Sequence, residues 1–272
     1  MTMSINQSER AFRAWPILTK RAGEGKTITY GELGALLGVH HRAVRYVLGL
    51  IQDYCLEEKL PPLTILIVNQ GGKPGTGFIA YDVDKFEEGK ALVRSYNWSA
   101  IPNPFAFASD GTTYEEIVSE LAGNPSSAAD VMRLVKTRGI AQSLFRDALL
   151  RAYQYRCAFT DISFQPVLEA CHIVPWSICK PEERLDIRNG LLLNSLHHKL
   201  FDEGLITVTT DFKIWYYDPD LKDGPYSEYD LLMSANLHGR SMKMPISNTM
   251  QPAATYLQRN YELHEWQQFL PK

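Results

Sequence analysis

The 272-residue sequence holds only four cysteines, Cys55, Cys157, Cys171 and Cys179, none of them in a CxxC pair. That excludes a dense disulfide framework, and the thiols read as reduced. A structural zinc built from Cys157, Cys171, Cys179 and a histidine is conceivable, but it lacks the paired spacing that marks such sites. Long apolar runs are missing too. The strongest, Leu63 to Val68 and Leu191 to Leu193, fall far short of the roughly 20 residues a membrane helix needs. No membrane partner is therefore expected. Met1 to Arg10 is polar and lacks the apolar stretch of a secretory signal, so the expected location is cytoplasmic. Positive charge is not in excess either: a net charge of -3 gives no global basic field. Any contact with nucleic acid must then use local patches.

What remains is ordinary globular material. Hydrophobic residues make up 45% and charged residues 22%, which argues against disorder and coiled coil. The length favours two domains over one, on a prior of roughly 100 to 200 residues each. From Ala11 to about Asp53 the apolar spacing is helical. Phe12, Trp15, Ile17 and Leu18 lead a first helix, and Tyr30, Leu33, Leu36 and Leu37 lead a second that Gly38 breaks. Val44, Val47, Leu48 and Ile51 mark a third. Leu63 to Val68 reads as a strand, turning through the glycine-rich Asn69 to Gly77 into Phe78 to Tyr81 as a hairpin or wing. Ile101 to Gly111 suits a linker, with helical spacing resuming over Thr113 to Leu121 and Ser126 to Tyr153. Short strands and a short helix are expected over Cys157 to Tyr217, and one more helix over Met244 to Lys272. The expected fold class is α+β, with domains at 1–100 and 133–272 and a linker and connector helix over 101–132.

The chemistry concentrates in Leu168-Glu169-Ala170-Cys171-His172-Ile173-Val174-Pro175-Trp176-Ser177 and in Asn189 to Gly204. The first reads as a short strand ending in His172 and stopped by Pro175, which places the imidazole at an accessible strand end. In the second, His198 and Asp202 are four residues apart on an expected helix, on one face and about one turn apart. Two ligands at that spacing can share one cation. Gly204 is a plausible left-handed stop, and the negative end of the helix dipole favours a cation there. An imidazole and a carboxylate leave positions for water and phosphate oxygens, as Mg²⁺ prefers.

The strand histidine, the Asn-Gly-Leu-Leu-Leu turn and the helix histidine resemble the His-Asn-His (HNH) nucleases built on a ββα-metal finger. The resemblance runs over about residues 137–269. Arg138-Gly139, Phe145-Arg146, Tyr155 to Thr160 and Leu200 to Ile206 look like the branch found in bacterial restriction endonucleases. It implies that His172 is the general base, that Asn189 holds the base in place, and that His198 is a metal ligand. Asp202 matches a further helix ligand. The implied cofactor is Mg²⁺ or Mn²⁺, one divalent ion per active site. A neutral imidazole can take a proton from water near neutral pH, and a cation can stabilise charge on the phosphate and the leaving oxygen. One position departs from the pattern. Many relatives place Asp or His immediately before the base, whereas this chain has Cys171, a soft thiol ill-suited to Mg²⁺. Glu169, a water or the phosphate itself are the substitutes. His197 reads as facing outward or touching a phosphate, and Cys157 as core.

At the other end, Thr27 to Leu33 with Gly38 and Arg42-Ala43-Val44-Arg45 looks like the winged-helix DNA-binding domain of the alkylguanine-DNA alkyltransferases. The Pro-Cys-His-Arg motif of that family is missing, with Ile65 to Asn69 in its place, so alkyl transfer is excluded. His40, His41, Arg42 and Arg45 would stand at the start of a recognition helix, within reach of bases or phosphates. A solvated face is the competing reading. Lys199 is a further DNA-contact candidate, and Arg133, Lys136, Arg138, Arg146, Arg151 and Arg156 are candidates to track phosphates, against a reading as internal ion pairs.

The expected function is metal-dependent hydrolysis of double-stranded DNA by an HNH endonuclease, in restriction or antiphage defence. The expected partners are double-stranded DNA and either a second copy in a homodimer or defence-system proteins. Two alternatives stand beside it: a catalytically inactive DNA-binding regulator, and a nuclease effector active only with partner proteins.

Overall fold

The computed structural model describes residues 6–75, 78–135 and 137–270. The first residues of the polar N-terminus and the phosphate-tracking candidate Lys136 lie outside them. The chain divides into two compact units, Met1–Ile117 with Arg133–Ala141, and Val118–Met132 with Gln142–Lys272. Among the described residues, helices with three two-stranded sheets make the class α+β.

The first unit begins with α1 (Gln7–Glu24), capped by the Asn6 side chain, which accepts from the Glu9 amide. After β1 (Ile28–Thr29) comes α2 (Tyr30–Leu37), started by a capping box in which Thr29 and Glu32 satisfy each other's backbone amides. Gly38 closes α2 in the left-handed region at φ 69°, a conformation that costs glycine nothing. A 3-10 turn, His41–Ala43, leads directly into α3 (Val44–Glu57). The three helices predicted from apolar spacing are thus present. Their shared core holds Trp15, Leu18, Leu33, Val47 and Ile51, all buried. Trp15 meets Tyr54, Trp98 and Phe105 edge-on, at ring separations of 5.6, 5.9 and 6.4 Å. Phe105, from the stretch that read as linker, is thereby part of this core.

The expected wing does not form among the described residues. Leu63–Leu66 is a 3-10 turn, and β2 (Ile67–Val68) pairs in parallel with β1, not with Phe78 to Tyr81. The reason is that every residue from Leu63 to Val68 is buried. A continuous apolar run carries no alternation to specify a strand, and turn bonds from Leu63 N to Pro61 O and from Ile65 N to Pro62 O satisfy its backbone instead. One further helix, α4 (Phe86–Ser95), follows.

Helices α5 (Tyr114–Gly123), α6 (Ala128–Leu134) and α7 (Arg138–Ala152) each carry residues of both units. In the second unit, β3 (Leu168–His172) pairs antiparallel with β4 (Gly190–Asn194), and α8 (Ser195–Asp202) follows β4 without a gap. A second hairpin, β5 (Ile206–Val208) with β6 (Ile214–Tyr216), comes next, then α9 (Glu228–Leu232) and α10 (Ala254–Leu263). All five β4 residues are buried, as a strand covered on both faces requires. No helix among the described residues is long and apolar enough to cross a membrane.

Candidate active site

The β3–β4 register sets Glu169 opposite Leu193, Cys171 opposite Leu191 and His172 opposite Gly190. Side chains alternate along a strand, so Glu169 and Cys171 share one face and His172 takes the other. The direction of α8 is fixed at its start. Asn194 caps it by accepting from the His197 amide at 3.0 Å. The Asn194 amide nitrogen in turn donates to Cys157 Sγ at 3.4 Å.

On the Glu169 face, His198 lies between two carboxylates. Its Nδ1 donates to Glu169 Oε2 at 2.5 Å, and its Nε2 lies 3.4 Å from Asp202 Oδ2. Ser195 Oγ donates to the other Glu169 oxygen at 2.8 Å. Partial burial raises the Glu169 carboxyl pKa, but the bonds from His198 and Ser195 outweigh it and hold the pKa below the usual range. Cys171, fully buried, completes the group: its Sγ, one His198 nitrogen and one Asp202 oxygen all lie within 4.8 Å of one another. Burial, with the charges of Asp202 and Glu169, pushes the Cys171 thiol well above its ordinary pKa. These residues fit a divalent cation. Glu169 on Nδ1 fixes the tautomer that turns the Nε2 lone pair toward Asp202, the outer-shell carboxylate arrangement of metal-binding histidines. The three-thiol zinc does not form. Cys157 meets Asn194 and His197, and Cys179 Sγ meets the Val174 carbonyl at 3.1 Å and the Asn189 amide.

On the other face, the His172 ring stacks on Phe145 of α7, with centroids 3.9 Å apart and planes at 12°. Trp176 meets it edge-on at 5.6 Å. Its Nε2 lies 3.0 Å from the Arg184 carbonyl. A carbonyl only accepts, so Nε2 carries the proton and a neutral ring keeps its lone pair on Nδ1. The ring is half-buried, less open than a bare strand end suggests. His172 is not in the Cys171–His198–Asp202 group; it is the next residue along the strand.

Asn189 is fully buried and closes the loop that follows His172. Its Oδ1 accepts from the Val174 amide at 2.9 Å, and its Nδ2 donates to Cys179 Sγ at 3.1 Å. Its carbonyl accepts from Ile173 N at 2.9 Å. The glycine after it answers a steric need, not a turn. Gly190 is extended, and a Cβ there would come within 2.7 Å of both Phe145 and Leu149. Helix α10 holds the same loop from outside: Tyr256 donates to Asp186, Arg259 to Glu183 at 2.8 Å, and Asn260 to the Ile173 carbonyl at 3.0 Å.

His197 corrects the sequence reading. It faces inward, fully buried, with Nε2 2.9 Å from the Met233 carbonyl and Nδ1 2.9 Å from Asn194 Nδ2. Helical geometry is the reason, since consecutive residues stand about 100° apart around the axis and His197 and His198 cannot share a face. Lys199 is exposed and paired with Glu203. Arg146 donates to the Leu168 carbonyl at 2.5 Å, Arg151 to Ser119 at 2.9 Å, and Arg156 pairs with Asp161. Those three arginines are engaged within their own unit. Sequence reasoning gave no role to Arg184, whose guanidinium lies 5.1 Å over the Trp176 ring and whose Nε is buried with no hydrogen-bond partner among the described residues.

A protein-family model described as HNH endonuclease matches residues 157–209. The matched segment contains β3, β4 and α8 entire. It supports a nuclease, a hydrolase with DNA as substrate. The supports of the matched segment reach beyond it, to Phe145 on α7 and to Tyr256, Arg259 and Asn260 on α10. No curated protein matches the chain.

In the first unit, His41, Arg42 and Arg45 are exposed at the start of α3 and line a cavity of about 1020 Å³ with Tyr30, Thr64 and Asn69. Arg45 also bonds the Tyr46 hydroxyl at 2.6 Å, and the His40 ring lies tilted against His41, with centroids 4.1 Å apart.

Proposed function

We propose that this chain is a metal-dependent endonuclease that hydrolyses phosphodiester bonds of double-stranded DNA, serving in restriction or antiphage defence. The observation that carries the reading is the grouping of Cys171, His198 and Asp202 at a ribbon whose end bears His172. Cys171 and His172 are consecutive on β3, so the base would stand one residue from the metal group, on the other face of the ribbon.

His198 and Asp202 would hold the divalent ion, with Glu169 orienting His198 from behind. Such an ion supplies charge stabilisation at the phosphate and the leaving 3′ oxygen. His172 takes the proton from the attacking water, and the Arg184 carbonyl on Nε2 steadies the ring as it becomes positive. Phe145 holds the ring plane, and Asn189 keeps the loop that carries Arg184 in place. Asn189 is thus a positioning residue. The Arg184 guanidinium beside Trp176 is a second cation for the phosphate. In the first unit, His41, Arg42 and Arg45 would contact the duplex, with Lys199 adding a phosphate contact in the second.

Plasmid cleavage in the presence of a divalent cation tests the reading, comparing the full chain with His172→Ala and His198→Ala. Both variants are expected to lose cutting. Equal cleavage by wild type and His172→Ala would overturn the mechanism.

A further inference from the structure

The group on the Glu169 face contains a sulfur where a hard-cation site would hold only oxygen and nitrogen. We infer that Cys171 is a metal ligand and that the site selects a thiophilic divalent cation of the Zn²⁺ class over Mg²⁺, bound by Cys171 Sγ, His198 Nε2 and the Asp202 carboxylate. The inference rests on the nuclease reading only in taking this cluster for the metal site of the reaction.

Two observations carry it. First, His198 Nε2 and an Asp202 carboxylate oxygen lie 3.4 Å apart, close enough for one ion to bind both. Second, a sulfur stands beside them. Cys171 is fully buried on the strand face it shares with Glu169, and its Sγ lies within 4.8 Å of the other two donor atoms. Soft thiolate selects Zn²⁺-like ions and gives Mg²⁺ little.

Three protein ligands leave a fourth tetrahedral position for water or a phosphate oxygen, the pattern of catalytic zinc sites as opposed to structural ones. Binding expels the thiol proton to solvent as the sulfur–metal bond forms. Glu169 stays outside the shell. Its place on Nδ1 is what directs Nε2 inward.

Co²⁺ and Zn²⁺ added to the metal-free full chain test the inference. The wild type is expected to show a near-ultraviolet sulfur-to-cobalt charge-transfer band and the strong visible bands of tetrahedral cobalt. Cys171→Ser, checked for folding by circular dichroism, should lose the charge-transfer band and bind Zn²⁺ at least ~10-fold more weakly, the lower end of what outer-shell partners alone contribute. X-ray absorption of the zinc-loaded wild type needs no variant and should show one sulfur neighbour at ~2.3 Å. Metal bound by nitrogen and oxygen alone, a charge-transfer band that survives in Cys171→Ser, or no uptake of either ion would each overturn the assignment. Plasmid cleavage by the same wild-type preparation separates the two claims. Cutting with Mg²⁺ and no sulfur signature ends the thiol assignment and leaves the nuclease; a sulfur signature with no cutting under any metal does the reverse.

Discussion

The two faces of the β3–β4 ribbon are assembled by different means. On the Glu169 face the functional side chains come from two short periodic segments: Glu169 and Cys171 two apart on a strand, His198 and Asp202 four apart on a helix. On the His172 face the supports arrive from far away in sequence, with Phe145 on α7, Asn189 fifteen residues beyond Val174, and Asn260 some ninety beyond Ile173. One face is local periodicity, and the other is long-range closure. The first sets which atoms can meet a cation; the second sets whether the proposed base is held still.

The sharpest way to break this comparison is to damage each face separately and read two quantities. His172→Ala should lower DNA cleavage on the order of 10²- to 10⁴-fold, the range for a general base, with metal affinity unchanged. Glu169→Gln should weaken metal binding by ~10- to 100-fold, because an amide holds the His198 tautomer less firmly than a carboxylate. Calorimetric metal titration alongside cleavage at saturating metal resolves the two. If His172→Ala lost metal affinity as well, the faces would not be independent.

That division also explains how much was legible in the sequence. Period-two and period-four spacing placed His172 at a strand end and His198 with Asp202 on one helical face, and both placements stand. The same reasoning pointed Leu63 to Val68 into a strand, because an unbroken apolar run says that a segment is buried without saying which backbone it adopts. His197 failed for a different reason. Its role depends on Asn194, Cys157 and the Met233 carbonyl, contacts that no local pattern encodes. A signal was available in the adjacency of two histidines on a short helix, since only one of them can face outward. The pinning role implied for Asn189 could be stated from resemblance, but its partners Val174 and Cys179 could not.

The next two predictions address the closure itself. Asn189→Ala leaves the buried Val174 amide without its acceptor, at a cost of about 1–3 kcal/mol. Urea unfolding should show a lower midpoint, and cleavage should fall while metal affinity holds. Gly190→Ala drives a methyl into Phe145 and Leu149, and overpacking of that kind costs typically ~1–3 kcal/mol. Adding Leu149→Ala should return part of the loss, a coupling that a double-mutant cycle measures directly. A simple sum of the two losses would mean that the contact at Gly190 is not what fixes the ribbon on α7.

The smallest effect tests the outer clamp. Burial raises the Glu183 carboxyl pKa, but the Lys180 backbone amide and the Arg259 guanidinium more than compensate, leaving the pKa below the ordinary carboxylate range. A carboxyl held lower in the folded chain than in the unfolded one releases its proton more readily when folded. Its contribution is therefore complete above the unfolded value near 4.3 and disappears as the pH drops through the folded one. Because the Arg259 side chain is 35% exposed, solvent screening limits the pair to about 0.2–1 kcal/mol. Wild type should exceed Glu183→Gln in urea resistance by that amount at pH 7, and the gap should close as the solution is taken below about pH 4. A gap that widens in acid would mean that Glu183 is strained in its ionised form, and that α10 grips the loop through Tyr256 and Asn260 alone.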